Sequence, residues 1–533
     1  ETEGALCNYK GGYLHIFTST LWISNLKELI SQSTGIEEDK IIINCTKSSE
    51  KNTNSLWQNG ILCSLAAIAS IKTGKPVKLS LSRSEQEEVI ENPSEVKIYH
   101  KTAVDKSGII KAMNIIVDYD SGFYNPFASY ILDRLVLAST GIYNCKNVKI
   151  NARAYKTHRA PSSMCFSQID SQAFFAIENQ IQKIAEITGF SPVELRQMNK
   201  AGTLQKLTSP FTFSFGRSSD VINAVAIRSD FKRKYTVARL SGHDRYEADN
   251  NFPYSPPQYG IGMACAFEGT GFLGEKFSKE QISMQISVNN DKKIIIHSLP
   301  SSARIKEIWT KLILENIETE KRNIIFTSEI QNTSAKTAKI QQIPDNFIGN
   351  ISIKTILLKK CIDSLKNKKI DGSSYTIKKS IPAARKNLWN QNEFSGTPFY
   401  NTAFGACTVE LELDKCTYTE KLQKICVIID AGKIINPKAA ENEIHRSIQN
   451  CLNFLVKNKT FTCPEIKIQF TQSEEEPKQI GGLIYSILPA AYTSALSQAL
   501  SSQIEYLPLQ TDSIFKYIEK NENNKKLKIE DEQ

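Results

Sequence analysis

The alternation of apolar and polar positions divides the chain into short strands and amphipathic helices. Tyr13–Ser19 is a β-rich run, Ser24 opens a helix to about Gln32 as its cap, and Lys40–Cys45 is strand-like. Asn59–Thr73 is apolar and free of proline, and it ends at Gly74, a residue suited to the left-handed position after a helix. Val77–Ser82 predicts a strand. Val96–Val104 and Ile109–Tyr119 flank Asp105-Lys106-Ser107-Gly108, which signals a hairpin. Val148–Thr157 is a further strand. Over Gln172–Thr188, Phe174, Ile177, Ile181, Ile184 and Ile187 recur at helical spacing and mark one buried face. Ser191-Pro192-Val193-Glu194 reads as a capping box with proline at the first helical position, opening a short helix to Asn199.

Ala201–Ser219 has the composition of a linker between halves. Beyond it, Val221–Lys234 is helical, and Gly260–Glu268 and Gln281–Val288 are strands. Asn289-Asn290-Asp291 turns into Lys293–Ser298. Ile305–Ile317 and Ile351–Lys366 are helices. Cys407–Leu413 and Leu422–Ile429 pair around a polar turn, Asn436-Pro437 opens a helix to about Leu455, and Pro489–Ser502 is the last long helix. The pattern describes an α+β protein in two lobes, residues 1–205 and 206–533, without short repeats.

Composition narrows the function classes. Over 533 residues, 41% hydrophobic and 23% charged positions are ordinary for a globular chain, which argues against wholesale disorder. No apolar run approaches the roughly 20 residues of a membrane span. The net charge of +10 is spread along the length and mixed with acids, so it reads as solvated surface rather than a nucleic-acid patch. The charged stretch Glu519–Gln533 reads as a frayed tail. No signal peptide is seen, and a start at Glu1 without Met suggests a fragment. The twelve cysteines form no C-x-x-C pair, and Cys63, Cys265, Cys407 and Cys426 sit in apolar segments. They are expected to be reduced, mostly core residues of a cytoplasmic protein, with no iron–sulfur cluster or flavin in this chain. The six histidines, His15, His100, His158, His243, His297 and His445, show no metal-ligand spacing.

Four segments in order carry a family resemblance. Within Thr157–Asn199 stand Gln172, Phe175, Glu178, Ile184-Ala185, Gly189, Pro192, Arg196 and Asn199. Gly74-Lys75-Pro76-Val77 leads to Ser84-Glu85. Ala406–Asp414 forms a late strand, and Asp430-Ala431-Gly432-Lys433-Ile434-Ile435-Asn436-Pro437 precedes a helix. This array resembles the molybdopterin-binding large subunit or domain of the xanthine dehydrogenase/aldehyde oxidase hydroxylases. The resemblance implies the two-lobed α+β molybdopterin-binding fold, with molybdopterin (molybdenum) as cofactor. It also implies iron–sulfur and flavin subunits or domains as partners and a homodimer as one expected assembly; no nucleic acid and no membrane are expected.

In that family a buried glutamate acts as base and oriented donors hold the anionic cofactor. The positions matching those roles have changed. The base position of the Gly-Glu-Pro turn falls on Gly482 or Leu483, after Gly481, and neither side chain accepts a proton. Glu476, followed by Pro477, is a remote candidate; the Glu474-Glu475-Glu476 run otherwise reads as a solvated loop. Phe166 stands at the family's arginine with Ser167 beside it, and Arg159, seven residues before Phe166, reads as a surface side chain. Ser48–Trp57 replaces a glycine-rich loop, Leu21 replaces a glutamine, and Ser301-Ser302-Ala303 replaces a Gly-Gln-Gly pterin loop. Apolar groups there leave an anionic ligand poorly satisfied, at about 1–3 kcal/mol per group. The expectation is a degenerate, catalytically impaired or cofactor-free member serving as structural partner of an active hydroxylase. The alternatives are an active hydroxylase oxidising a purine-like heterocycle or aldehyde with water as oxygen source, and a module that binds another small ligand in the old cleft.

Overall fold

The computed structural model describes residues 3–20, 22–46, 58–89, 95–162, 169–201, 216–248, 257–272, 283–298, 300, 303–327, 350–366, 374–380, 390, 393–414, 417–456, 463–509 and 512–519. Apolar alternation puts Ala5, Cys7, Leu14 and Ile16 on one face of a four-stranded sheet. Its strands are β1 (Gly4–Lys10), β2 (Tyr13–Thr18), β3 (Ile41–Cys45) and β4 (Val77–Ser80), in the order β3-β2-β1-β4. Helices α1 (Ile23–Thr34) and α2 (Asn59–Thr73) cover that face. Gly74 closes α2 at φ 63° as expected, where a side chain would be strained. The start of α1 differs from expectation. Trp22 is the cap and Ser24 lies inside the first turn, because the buried Trp22 indole anchors the entry to the helix.

After the short α3 (Arg83–Val89) comes a second sheet of β5 (Val96–Val104), β6 (Ile110–Asp120) and β7 (Asn147–Tyr155). The β5–β6 hairpin is set by Asp105, whose Oδ1 accepts from the N–H groups of Ser107 (3.0 Å) and Ile109 (2.9 Å). Helices α4 (Ala128–Ala138), α5 (Ser171–Thr188) and α6 (Pro192–Asn199) follow. The α5 stripe is buried from Phe174 to Ile184, but Ile187 is 76% exposed, because the last turn runs past the core. Ser191 caps α6 by position only. Its hydroxyl makes no capping bond, and Glu194 turns outward to Lys232 at 2.9 Å, so the expected box does not close.

The predicted helix Val221–Lys234 is two, α7 (Ser218–Arg228) and α8 (Phe231–Ala248), broken where Asp230 takes φ 53°. A long strand β8 (Gln258–Phe272) comes next. A peripheral sheet contains β9 (Ser283–Val288), β10 (Ile294–Ile296), β11 (Ile324–Phe326) and β12 (Tyr375–Ser380). With α9 (Ala303–Leu314) and α10 (Asn350–Lys366), it forms a separate core around Trp309. The central sheet joins β8 to β13 (Phe399–Asp414), β14 (Thr419–Asp430) and β15 (Glu465–Phe470), in the order β15-β14-β13-β8.

Helices α11 (Pro437–Leu455) and α12 (Leu483–Leu500) complete the fold. Helix α12 begins at Leu483 and contains Pro489, a turn and a half earlier than the proline-based expectation. Burial overrides the proline here: α12 is apolar nearly all round and lies directly on β8. A Cβ at Gly260 would stand 2.0 Å from the Ala495 carbonyl oxygen, and one at Gly262 would stand 2.1 Å from that of Ala491. The largest core runs from Trp22 to Ile514 and crosses residue 205. Among the described residues no helix is long and apolar enough to cross a membrane.

Candidate functional site

The segment leading into α12 is held on two sides. On one side, the turn after β14 acts as its support. Gly432 has φ 64°, and a Cβ there would lie 2.2 Å from the Glu476 carbonyl oxygen. Lys433 donates its N–H to the Glu475 carbonyl at 2.9 Å, and Lys478 donates its own to Ala431 at 3.0 Å. The Lys478 ammonium bridges the buried Asp430 (2.8 Å) and Glu475 (2.7 Å). Asn436 then caps α11 by accepting from Ala439 N–H at 3.2 Å. The Asp-x-Gly-x-x-x-Asn-Pro signature thus carries a bonded turn and a helix cap.

On the other side the segment meets β8. Glu268 of β8 is buried, and each of its carboxylate oxygens receives one donor from residues 479–482. Oε1 accepts from the Gln479 side-chain amide at 2.9 Å, and Oε2 accepts from Gly482 N–H at 2.9 Å. Gln479 also donates its backbone N–H to Thr270 Oγ1 at 2.9 Å. Burial pushes the Glu268 carboxyl up to about 7; the hydrogen bonds from Gly482 and Gln479, and Arg134, pull it back down, while Asp170 adds to the rise. Arg134 is itself engaged. Its Nε donates to Asp170 Oδ1 at 3.0 Å, a second nitrogen bonds Asp170 Oδ2, and its guanidinium lies 5.0 Å from the Phe399 ring centre.

Of the positions singled out from sequence, Leu21, Phe166, Ser167, Ser301 and Ser302 lie outside the described residues, as does the whole of Ser48–Trp57. Ala303 is the exposed first residue of α9. Gly481 has open space where a side chain would go. Gly482 offers only its N–H, already bonded to Glu268. Leu483 is fully buried, and its side chain fills the room left by Gly405, where a Cβ would come within 2.6 Å of it. Glu476 points the other way, bound to Lys360 of α10 at 2.7 Å and accepting from the Tyr400 hydroxyl at 2.8 Å. Arg159 is at the surface, paired with Glu95 and with Asp120 at 3.8 Å. The structure therefore brings Gly481, Gly482 and Leu483 together with Glu268, which the sequence reading missed. The available signal was one acid directly after the apolar run Met263–Phe267 and still within the strand, a place where an unpaired carboxylate is costly.

The residues that carry the family pattern most clearly are framework. Glu178 and Arg196 form a fully buried pair (2.8 Å). Glu178 also accepts from Cys265 N–H at 2.9 Å and from the Tyr143 hydroxyl, and Arg196 donates to the Met263 carbonyl at 2.8 Å. Asn199 joins the hairpin to α6, donating to Gly108 O (2.8 Å) and accepting from Ile110 N–H (2.8 Å). The described cysteines are free, and burial pushes the Cys63 thiol up to about 11. Among the described residues no group of three His, Cys, Asp or Glu is placed to hold a metal ion.

Residues 1–200 and 333–449 each match the family model described as a molybdopterin cofactor-binding domain, together more than half of the chain. Xanthine dehydrogenase/oxidase of Gallus gallus is 22% identical over 466 residues, covering 82% of this chain and 33% of that protein. Aldehyde oxidase 2 of Cavia porcellus is 20% identical over 450 residues, covering 80% and 32%. Among solved structures, the aldehyde oxidoreductase from Desulfovibrio gigas superposes with a TM-score of 0.71 at 19% identity, covering 97% of this chain and 59% of that one. Reconstituted CO dehydrogenase from Oligotropha carboxidovorans gives 0.73 at 14%, covering 98% and 73%. These superpositions define the class as an α+β molybdopterin-binding fold. The chain belongs to the xanthine dehydrogenase/aldehyde oxidase family of molybdenum hydroxylases, and it spans about a third of the length of the curated relatives it matches.

Proposed function

We propose that this chain is a degenerate molybdopterin-binding-type subunit, without hydroxylase activity of its own, that serves as structural partner of an active hydroxylase. The observation that carries this reading is the start of α12. Hydroxylation of this class needs a proton acceptor within hydrogen-bond reach of the reacting group. At the matching positions Gly482 has no side chain, and Leu483 is sealed in the core against Gly405. Glu476, the remote candidate, is engaged by Lys360 and Tyr400. The described residues also fit an anionic cofactor poorly, because the Gly482 N–H already serves the Glu268 carboxylate. The changes at Leu21, Phe166, Ser167, Ser301, Ser302 and Ala303 belong to the same reading, which makes molybdopterin a family cofactor that this chain does not hold. Its expected partners are iron–sulfur and flavin subunits or domains of a hydroxylase complex, or a second copy of itself.

The second reading is an active hydroxylase of a purine-like heterocycle or an aldehyde. It is favoured by one observation, a buried carboxylate, Glu268 of β8, hydrogen-bonded to the same turn. Full-length protein from cells supplied with molybdate separates the two by its metal and pterin content. The first expects neither at stoichiometric level; one molybdenum and one pterin per chain would establish the second.

A further inference from the structure

Helix α12 begins without a side-chain cap. Gly482 stands at its N-cap with no side chain of its own, and no side-chain capping bond forms there. The N–H groups at a helix start are unsatisfied donors in a positive field, so they favour an anion. Here the anion comes from another strand 214 residues away in sequence. Glu268 divides its two oxygens between Gly482 N–H and the Gln479 amide, both at 2.9 Å. Among the described residues Glu268 has no further hydrogen bond or ion pair. Arg134 of α4 bonds Asp170, which precedes α5; Ala403 faces Glu268 across the strand pair; and the Ser352 hydroxyl of α10 donates to the Gln479 side-chain Oε1 at 3.4 Å. Lys478, which directly precedes Gln479, is bound to Asp430 and Glu475.

We propose that the Glu268 carboxyl group is a built-in acceptor that fills the donor site at the start of α12 and keeps external anions out of it. This rests on the reading of the chain as cofactor-free and names the residue responsible. The donors can serve one carboxylate-sized group at a time, so the site is closed by the chain itself.

The test is chemical rescue in the full chain. Glu268→Ala leaves the two donors facing a void of carboxylate size. Its thermal unfolding is followed against sodium formate, with sodium chloride at equal ionic strength as control. Glu268→Ala is expected to recover at least half of its lost Tm in a saturable way with formate and nothing with chloride, while the wild type responds alike to both salts. Absence of a formate-specific recovery, or an equal formate response in the wild type, overturns the proposal. Glu268→Leu fills the space without an acceptor. It is expected to show no formate response, with amide exchange at Gly482 faster by about tenfold or more, as expected for loss of a charge-assisted hydrogen bond. Unchanged exchange at Gly482 overturns the proposal even if Glu268→Ala does not fold. Stoichiometric molybdenum in the wild type would instead defeat the functional reading, and the rescue result would stand or fall separately.

Discussion

Replacing Glu268 by Gln removes one buried titration and exposes another. The carboxyl of Glu268 is raised from 4.5 to about 7 in the fold. A folded pKa above the unfolded one means that the folded state holds the proton more tightly. The contribution is fully present below about pH 4.5 and is lost as pH rises through about 7. At about 1.4 kcal/mol per unit this amounts to roughly 3 kcal/mol. His100 works in the opposite sense. Burial lowers it from 6.5 to about 4, and neither ring nitrogen has a partner. The unfolded chain takes up that proton first, so its contribution is present above about pH 6.5 and is lost as pH falls toward 4, again by roughly 3 kcal/mol. Between about pH 4.5 and 6.5 the two slopes offset each other in the wild type. Glu268→Gln leaves His100 uncompensated, and stability should then drop toward acid by about 1.4 kcal/mol per pH unit across that window. Urea denaturation midpoints with their slopes, collected from about pH 4 to pH 9, measure this directly. Parallel pH profiles for the variant and the wild type would refute the reasoning.

Other substitutions separate framework from site. Arg196→Met strands the buried Glu178 carboxylate and is expected to cost about 3–5 kcal/mol, visible as loss of soluble protein or a large drop in urea midpoint. Gly262→Ala drives a methyl group against the Ala491 carbonyl oxygen and is expected to destabilise by about 1–3 kcal/mol; a neutral effect would mean that α12 can move off β8. Leu483→Glu places an acid at one of the two positions proposed for the family's base but buries it against β13. We expect a strongly destabilised protein, and a stable variant that gains molybdenum on metal analysis would contradict the packing argument. Glu476→Gln removes a half-exposed ion pair with Lys360 and should change stability by less than about 1 kcal/mol in thermal unfolding.

Local pattern determined much of the framework. Periodic apolar positions located α5 and the β5–β6 hairpin, and Gly74 marked the end of α2, because amphipathic faces and left-handed glycines depend on near neighbours in the chain. Helix α4 is not among the elements assigned from pattern, the Ser24 cap failed, and Ser191 stands at the N-cap with Pro192 after it but does not close the capping box, because whether a hydroxyl reaches its N–H depends on how the preceding residue is packed. That the turn before α12 carries no acid at Gly482 or Leu483, the positions proposed for the family's base, was legible from the order of residues alone. Which carboxylate meets that turn was not. Glu268 reaches the start of α12 only because β8 runs beneath that helix, with Gly260 and Gly262 admitting its carbonyls. A bond across 214 residues leaves no periodic trace, so the sequence shows a turn without an acid, and only the packing of α12 on β8 decides which carboxylate meets it.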